Sequence, residues 1–168
     1  MGMTPLGIAV SRGGGANRRE TVEALLRGGA DPCAIASSCG ATVLHAVALG
    51  NDSDEAFVKY ILELPGVQAL VDTPMRPQNN KWKLRYWIAG LRARLGSSKQ
   101  AVVRAMSEWP LNTALATAAL SGNTHVMKVL VEEGGANRAA RNKRGRTAFD
   151  QLPGRGEDVL PEIKQMLA

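Results

Sequence analysis

Aromatic residues are scarce in this chain. Three Trp, two Tyr and two Phe make up 4% of 168 residues, while 45% of the chain is hydrophobic. Apolar content carried by Ala and Leu suits stacked helices better than a β-sandwich core, so an all-α class is expected in one domain or one short solenoid. Long apolar runs are missing too: no stretch approaches the roughly 20 residues that span a bilayer. The N-terminal MGMTPLGIAVSRGGG lacks the basic-then-apolar layout of a signal peptide. An intracellular protein, cytoplasmic or nuclear, is the expectation. Gly2 does not read as a myristoylation site, since Leu6 stands where that motif has Ser or Thr.

Chemistry-bearing patterns are equally thin. Gly13-Gly14-Gly15 is not followed by Gly-Lys-Ser/Thr, so it is no phosphate-binding loop. Cys33, Cys39 and His45 are evenly spaced and form, with His125, a nominal two-Cys, two-His set. There is no C-x-x-C and no H-x-x-x-H pair, so reduced, partly buried thiols are expected in place of zinc. No Ser/His/Asp order or paired-carboxylate setting marks a nucleophile. The reading is a chain without catalysis, cofactor or metal.

What is present is repetition. Four units open on Thr4-Pro5-Leu6, Thr42-Val43-Leu44-His45, Thr113-Ala114-Leu115 and Thr147-Ala148-Phe149. After the opening come small residues (Ala46, Ala48; Ala118, Ala119), then aliphatic pairs (Leu25-Leu26, Ile61-Leu62, Leu130-Val131). Gly29-Ala30-Asp31 or Gly135-Ala136-Asn137 closes the unit, and x-x-G-x-T leads into the next at Ser38–Thr42 and Lys143–Thr147. Threonine before a helix accepts free backbone N–H groups, and proline after it has no N–H to lose and a preset φ. Val126, Met127, Val129, Leu130 and Val131 cover more than one helix face, as a helix sandwiched between neighbours requires. Gly134-Gly135 ends that helix, and Asn142 to Gly145 is turn chemistry.

These units resemble the ankyrin repeat, which has a period of about 33 residues and T-P-L-H-x-A at its head. The resemblance implies a solenoid of helix-turn-helix units joined by hairpin loops, with partners bound along hairpin tips and inner helices. It also gives His45 a role in hydrogen bonds between units. The units run about 4–41, 42–72, 113–146 and a capping 147–168, within a single domain 1–168. The first starts at Thr4 with no preceding hairpin, as expected of a reduced cap or of one piece of a longer array. Its inter-helix turn at 12–19 is lengthened, and the second unit carries an acidic turn at Asp52-Ser53-Asp54-Glu55. Residues 73–112 depart from the pattern after Thr73-Pro74-Met75. They read as a divergent helix pair, either a divergent repeat or an insertion, that has lost its hairpin: Lys81 to about Leu95, then Lys99 to about Trp109. Ser97-x-x-Gln100 is a capping box for the second helix and Pro110 its stop.

Charge is unevenly placed. Residues 1–72 hold five Lys/Arg against eight Asp/Glu, whereas residues 73–146 hold fourteen against three. Arg76, Lys81, Lys83, Arg85, Arg92, Arg94, Lys99 and Arg104 lie in a window, 73–107, with no acid. Arg138, Arg141, Lys143, Arg144 and Arg146 cluster on the hairpin before the last unit. A positive surface of this kind concentrates anionic partners.

In KWKLRYWIAGLRARL, at about 100° per residue, Leu84, Trp87, Ile88, Leu91 and Leu95 share one arc with basic residues on both flanks. The arc is expected to pack on neighbouring repeats, with Trp82 and Tyr86 on the opposite, exposed side. The functional expectation is a monomeric protein-interaction scaffold binding an acidic protein through Arg138, Arg141, Lys143, Arg144 and Arg146. As a loop residue, Arg144 is expected to matter little for stability. The alternative is a binder of an anionic membrane or nucleic acid through 81–104, with contacts from Lys81, Trp82, Lys83, Arg85, Arg92 and Arg94. Zinc-finger spacing, a recognition helix and stacking aromatics on a strand are all lacking. Least favoured is a regulatory segment of an enzyme.

Overall fold

A computed structural model describes residues 3–12, 17–50, 54–94, 107–153 and 161–167. Expectations placed on Gly13–Gly15, Asp52 and Ser53, the capping box Ser97-x-x-Gln100 and the helix from Lys99 as far as residue 106 lie outside them, as do Leu95, Lys99 and Arg104. The described residues form eight α-helices and no strand: α1 (Pro5–Ser11), α2 (Arg18–Arg27), α3 (Val43–Leu49), α4 (Glu55–Leu62), α5 (Asn80–Arg94), α6 (Ala114–Ser121), α7 (Thr124–Glu132) and α8 (Pro161–Leu167).

Local chemistry sets the helix starts. Thr4 Oγ1 accepts the Gly7 N–H at 3.0 Å with Pro5 leading α1. Thr113 Oγ1 accepts from Ala116 on α6, and Asp54 and Asn123 cap α4 and α7. Each such cap satisfies a donor that the first turn would leave bare. In the last unit Thr147 opens only a 3₁₀ turn, Phe149–Gln151, held by Asp150 accepting from the Thr147 N–H and hydroxyl.

The helices form two rows. α1, α3, α6 and the 3₁₀ turn make the inner row; α4, α7 and α8 follow one another in the outer row. Small residues on the inner helices allow close approach, and Ala46, Ala48, Ala116, Ala118 and Ala119 are all buried. Leu44, Val47, Ile61, Leu115, Met127 and Leu130 fill the space between the rows in one continuous core. α2 joins the outer row through Arg18 and Arg19, whose guanidinium groups lie 3.9 and 4.4 Å from the ring centres of Phe57 and Tyr60.

α3 packs directly on α6 and α4 on α7, so nothing from 73–112 intervenes in the stack. The expectation that this segment has lost its hairpin is corrected here. In each hairpin, the carbonyl just before the opening threonine accepts an N–H from the other arm: Ala36 to Ala41 at 2.8 Å, Met75 to Asn112 at 2.8 Å, Asn142 to Arg146 at 2.9 Å. The hairpin before Thr113 is closed like the other two, and residues 76–111 emerge from its tip. Adjacent hairpins are stitched together by Gln78 N–H to Ser38 O at 3.1 Å and Lys143 N–H to Pro110 O at 2.9 Å. Gly40 sits where the arms meet: at φ +75°, a Cβ there would lie 2.1 Å from the Arg76 carbonyl oxygen.

A buried polar chain runs across the units under these hairpins. His45 Nδ1 accepts from the Thr42 N–H at 3.2 Å and from its hydroxyl at 2.9 Å, so Nε2 carries the proton and donates to Asn112 O at 3.0 Å. The Asn112 and Gln151 amides then pair at 2.9 and 3.2 Å. Every polar atom named finds a partner, which is what burial demands. His45 thus links neighbouring units, as the resemblance implies.

Candidate partner-binding face

α5 rises from the tip of the second hairpin. Asn79 caps it, its Oδ1 accepting the Trp82 N–H at 3.0 Å while its Nδ2 donates to Ser37 O of the first hairpin. One side of the helix is buried against described residues: Tyr86 and Ala89 are each 5% exposed, and Tyr86 lies near Cys39. Trp82 leans on Tyr86 with ring centres 5.7 Å apart and carries the Arg85 guanidinium on its own ring. Burial pushes the Tyr86 phenol well above its ordinary value, and its hydroxyl has no hydrogen-bond partner among the described residues.

The opposite side faces outward. Trp87 is 63% exposed, Leu84 55%, Leu91 42% and Ile88 37%. This reverses the expected packing of α5, in which the Leu84–Trp87–Ile88–Leu91 arc is inside and Trp82 outside. The reason lies in what is underneath. A hairpin-tip helix has no neighbouring repeat to receive a broad aliphatic arc. It has only a narrow floor of loop residues, where Ala36, Ala41 and Met75 form a small core with Cys39 and Trp109. Flat rings and alanine fit that floor.

Of the basic residues proposed for this helix, Lys81, Lys83, Arg85 and Arg92 are exposed along its flanks and Trp82 is half-buried; the Arg94 side chain lies outside the described residues. The hairpin arginines are more occupied than the sequence suggests. Glu108, whose side chain is only 8% exposed, receives Arg144 at 2.8 Å, Arg146 at 3.1 Å and the Asn142 amide at 3.0 Å. Arg144 also donates to Ser107 Oγ. It is therefore a strut between the returning arm of the insertion and the next hairpin, and the expectation of a stability-neutral loop residue gives way. Arg138 donates to the Met166 carbonyl and Arg141 to Gly145 O. These two line a cleft of about 520 Å³ beside Phe149 and Leu167 at the end of the stack. Lys143 has no ion pair among the described residues.

A second cleft, of about 300 Å³, lies between α5 and the last hairpin. Tyr86, Trp87, Gly90 and Leu91 form one wall; Ser107, Pro110, Lys143 and Arg144 form the other. The structure thus brings α5 and Lys143 to one place, a juxtaposition the sequence reading missed. Its available signal was Glu108, the only acid between Asp72 and Glu132, which had to be neutralised by something basic.

The family model of the ankyrin repeat matches residues 1–37 and 111–143. These two segments are ankyrin repeats. The matches fall on either side of the second helix pair and the insertion, and α3 with α4 continues the ankyrin stack between them. A search of curated proteins returned no match. Ankyrin repeats are generally non-catalytic scaffolds that mediate protein–protein contacts. Among the described residues no three His, Cys, Asp or Glu side chains are grouped to hold a metal. His45 is committed inside the ankyrin stack, and His125 stands on α7 beside Glu55. Nor is any described helix long and apolar enough to cross a membrane.

Proposed function

We propose that this chain is a non-catalytic, monomeric, intracellular scaffold that binds an acidic surface of another protein. Contact is made by α5 and the hairpin face beside it, with Lys81, Lys83, Arg85, Arg92 and Lys143 supplying charge. One observation carries this: the acid-free segment presents Leu84, Trp87, Ile88 and Leu91 outward, between basic flanks, on the same side as Lys143. An apolar stripe of this kind on a soluble surface marks an interaction site, and the basic rim selects the partner's charge. Arg144 and Arg146 contribute by holding the hairpin in place. Arg138 and Arg141 lie at the other cleft.

The test is affinity capture from lysate with the parent chain and a Lys83→Glu/Arg85→Glu/Lys143→Glu variant. Acidic polypeptides should be recovered by the parent and lost by the variant. Equal recovery by both would sink the reading. One observation favours a second reading, an anionic membrane surface: Trp87 is the most exposed large apolar residue among the described residues and sits between cations, as on an interfacial helix. Recovery of anionic lipid in place of protein, weakening steeply as salt rises, is the outcome that would select it.

A further inference from the structure

We infer that the partner presents an acidic amphipathic helix, which lies along α5 and places one large apolar side chain in the cleft between α5 and the last hairpin. This rests on the interaction reading above and specifies its occupant. Leu84, Trp87, Ile88 and Leu91 are spaced i, i+3, i+4, i+7, the spacing at which one helix receives the side chains of another. Their stripe does not end on a flat surface. It runs down into the cleft of about 300 Å³, which has room for one large side chain.

Charge chooses among occupants. Lys81, Lys83, Arg85 and Arg92 flank the stripe and Lys143 stands across the cleft, so carboxylates on both edges of the incoming helix would meet cations. A second copy of this chain brings the same positive face, and like charges oppose that pairing. A bilayer would cover the outward stripe and leave the cleft unfilled.

Gly90 gives a clean means of closing the cleft. It lines the wall, its φ is not in the left-handed region, and nothing stands within 4 Å of where a Cβ would be. A larger residue fits without strain and raises helix propensity. Gly90→Leu should therefore fill the cleft and leave thermal unfolding no lower than in the parent.

A display library of helical peptides, randomised on every face, is selected against the full chain. Enriched peptides are then measured against Gly90→Leu and against Lys83→Glu/Arg85→Glu/Lys143→Glu. The expected result is apolar residues at helical spacing flanked by Asp and Glu, binding Gly90→Leu at least about tenfold more weakly. Acidic peptides that bind Gly90→Leu as tightly as the parent, yet are lost on charge reversal, would overturn the helix in the cleft and leave the interaction reading standing. No enrichment, or enrichment of basic sequences, would overturn both. Phosphatidylserine vesicles binding the parent but not Trp87→Ala, or self-association in sedimentation abolished by that change, would likewise overturn the inference in favour of a membrane or a second copy.

Discussion

The stack and α5 follow the same rule of pattern and opposite rules of burial. On α7, Val126, Met127, Val129 and Leu130 recur at helical spacing and are at most 1% exposed. On α5, Leu84, Trp87, Ile88 and Leu91 recur in the same manner and face water. Both helices carry a periodic apolar arc; they differ in whether another helix covers it. A periodic apolar arc identifies a face that needs covering, and only the helices packed around it determine whether the covering comes from the same chain.

The largest effect expected from this contrast is in the core. Leu130→Ala should lose about 2 to 5 kcal/mol, because the stack on both sides cannot collapse into the void. Urea unfolding within error of the parent would break the comparison at its stronger end.

Next comes the buried polar chain. Burial holds the His45 imidazole at about 4, below its usual 6.5, although the bond to the Asn112 carbonyl pulls the other way. Nδ1 is occupied as an acceptor, so the second proton has no place in the fold. Between pH 6.5 and about 4 the unfolded chain binds a proton that the folded chain refuses. Stability from this site is complete above pH 6.5 and drains away as pH falls towards 4, by up to about 3 kcal/mol. Unfolding of the parent and of His45→Gln across that range should show a steeper acid loss in the parent; parallel curves would refute it.

The strut to the insertion is weaker and tests the seam between the regions. Arg144→Ala removes charge-assisted bonds from a nearly buried Glu108 and should lose about 1.5 to 3 kcal/mol. Arg146 and Asn142 remain as partners, which keeps the loss below that of an isolated buried charge. A change under about 0.5 kcal/mol, measured by thermal unfolding, would mean that the ion cluster is ornamental.

The smallest effect sharpens the contrast most. Trp87→Ala deletes a larger side chain than Leu130→Ala, yet stability should stay within about 0.5 kcal/mol, as at other exposed sites. Small polar quenchers should reach Trp87 more readily than Trp82 in single-tryptophan variants. A loss of several kcal/mol would place Trp87 inside after all.

The sequence made the stack legible because its determinants are local. Thr4, Thr113 and Asn123 cap helices through bonds to residues three positions on, and a glycine past α6 takes the left-handed turn at Gly122. The closure of the second hairpin was not legible, since Met75 and Asn112 meet across a long intervening segment and neither residue type announces the bond. Its trace was positional: Asn112 immediately precedes Thr113, as Ala41 precedes Thr42. The candidate site was legible in composition alone. Basic residues and apolar arc could both be read, but their facing depends on the loop floor beneath α5. The engagement of Arg144 depends on Glu108, far away in the chain.

The Met75–Asn112 closure makes the length of the inserted segment cheap for the stack, apart from the Glu108 bonds to Asn142, Arg144 and Arg146. A hairpin already tied at its base costs the stack only a logarithmic penalty for whatever length hangs beyond the tie, with each doubling adding about 0.6 kcal/mol. Replacing residues 77–109 by a short glycine-containing turn would keep Met75 facing Asn112 and leave α3 on α6. The same tie lets the tip open on its own: amide exchange in α5 should run ahead of that in α6 and α7, which share the continuous core. The stack is thus a fixed mount on which recognition can be exchanged, tip by tip, without renegotiating the fold.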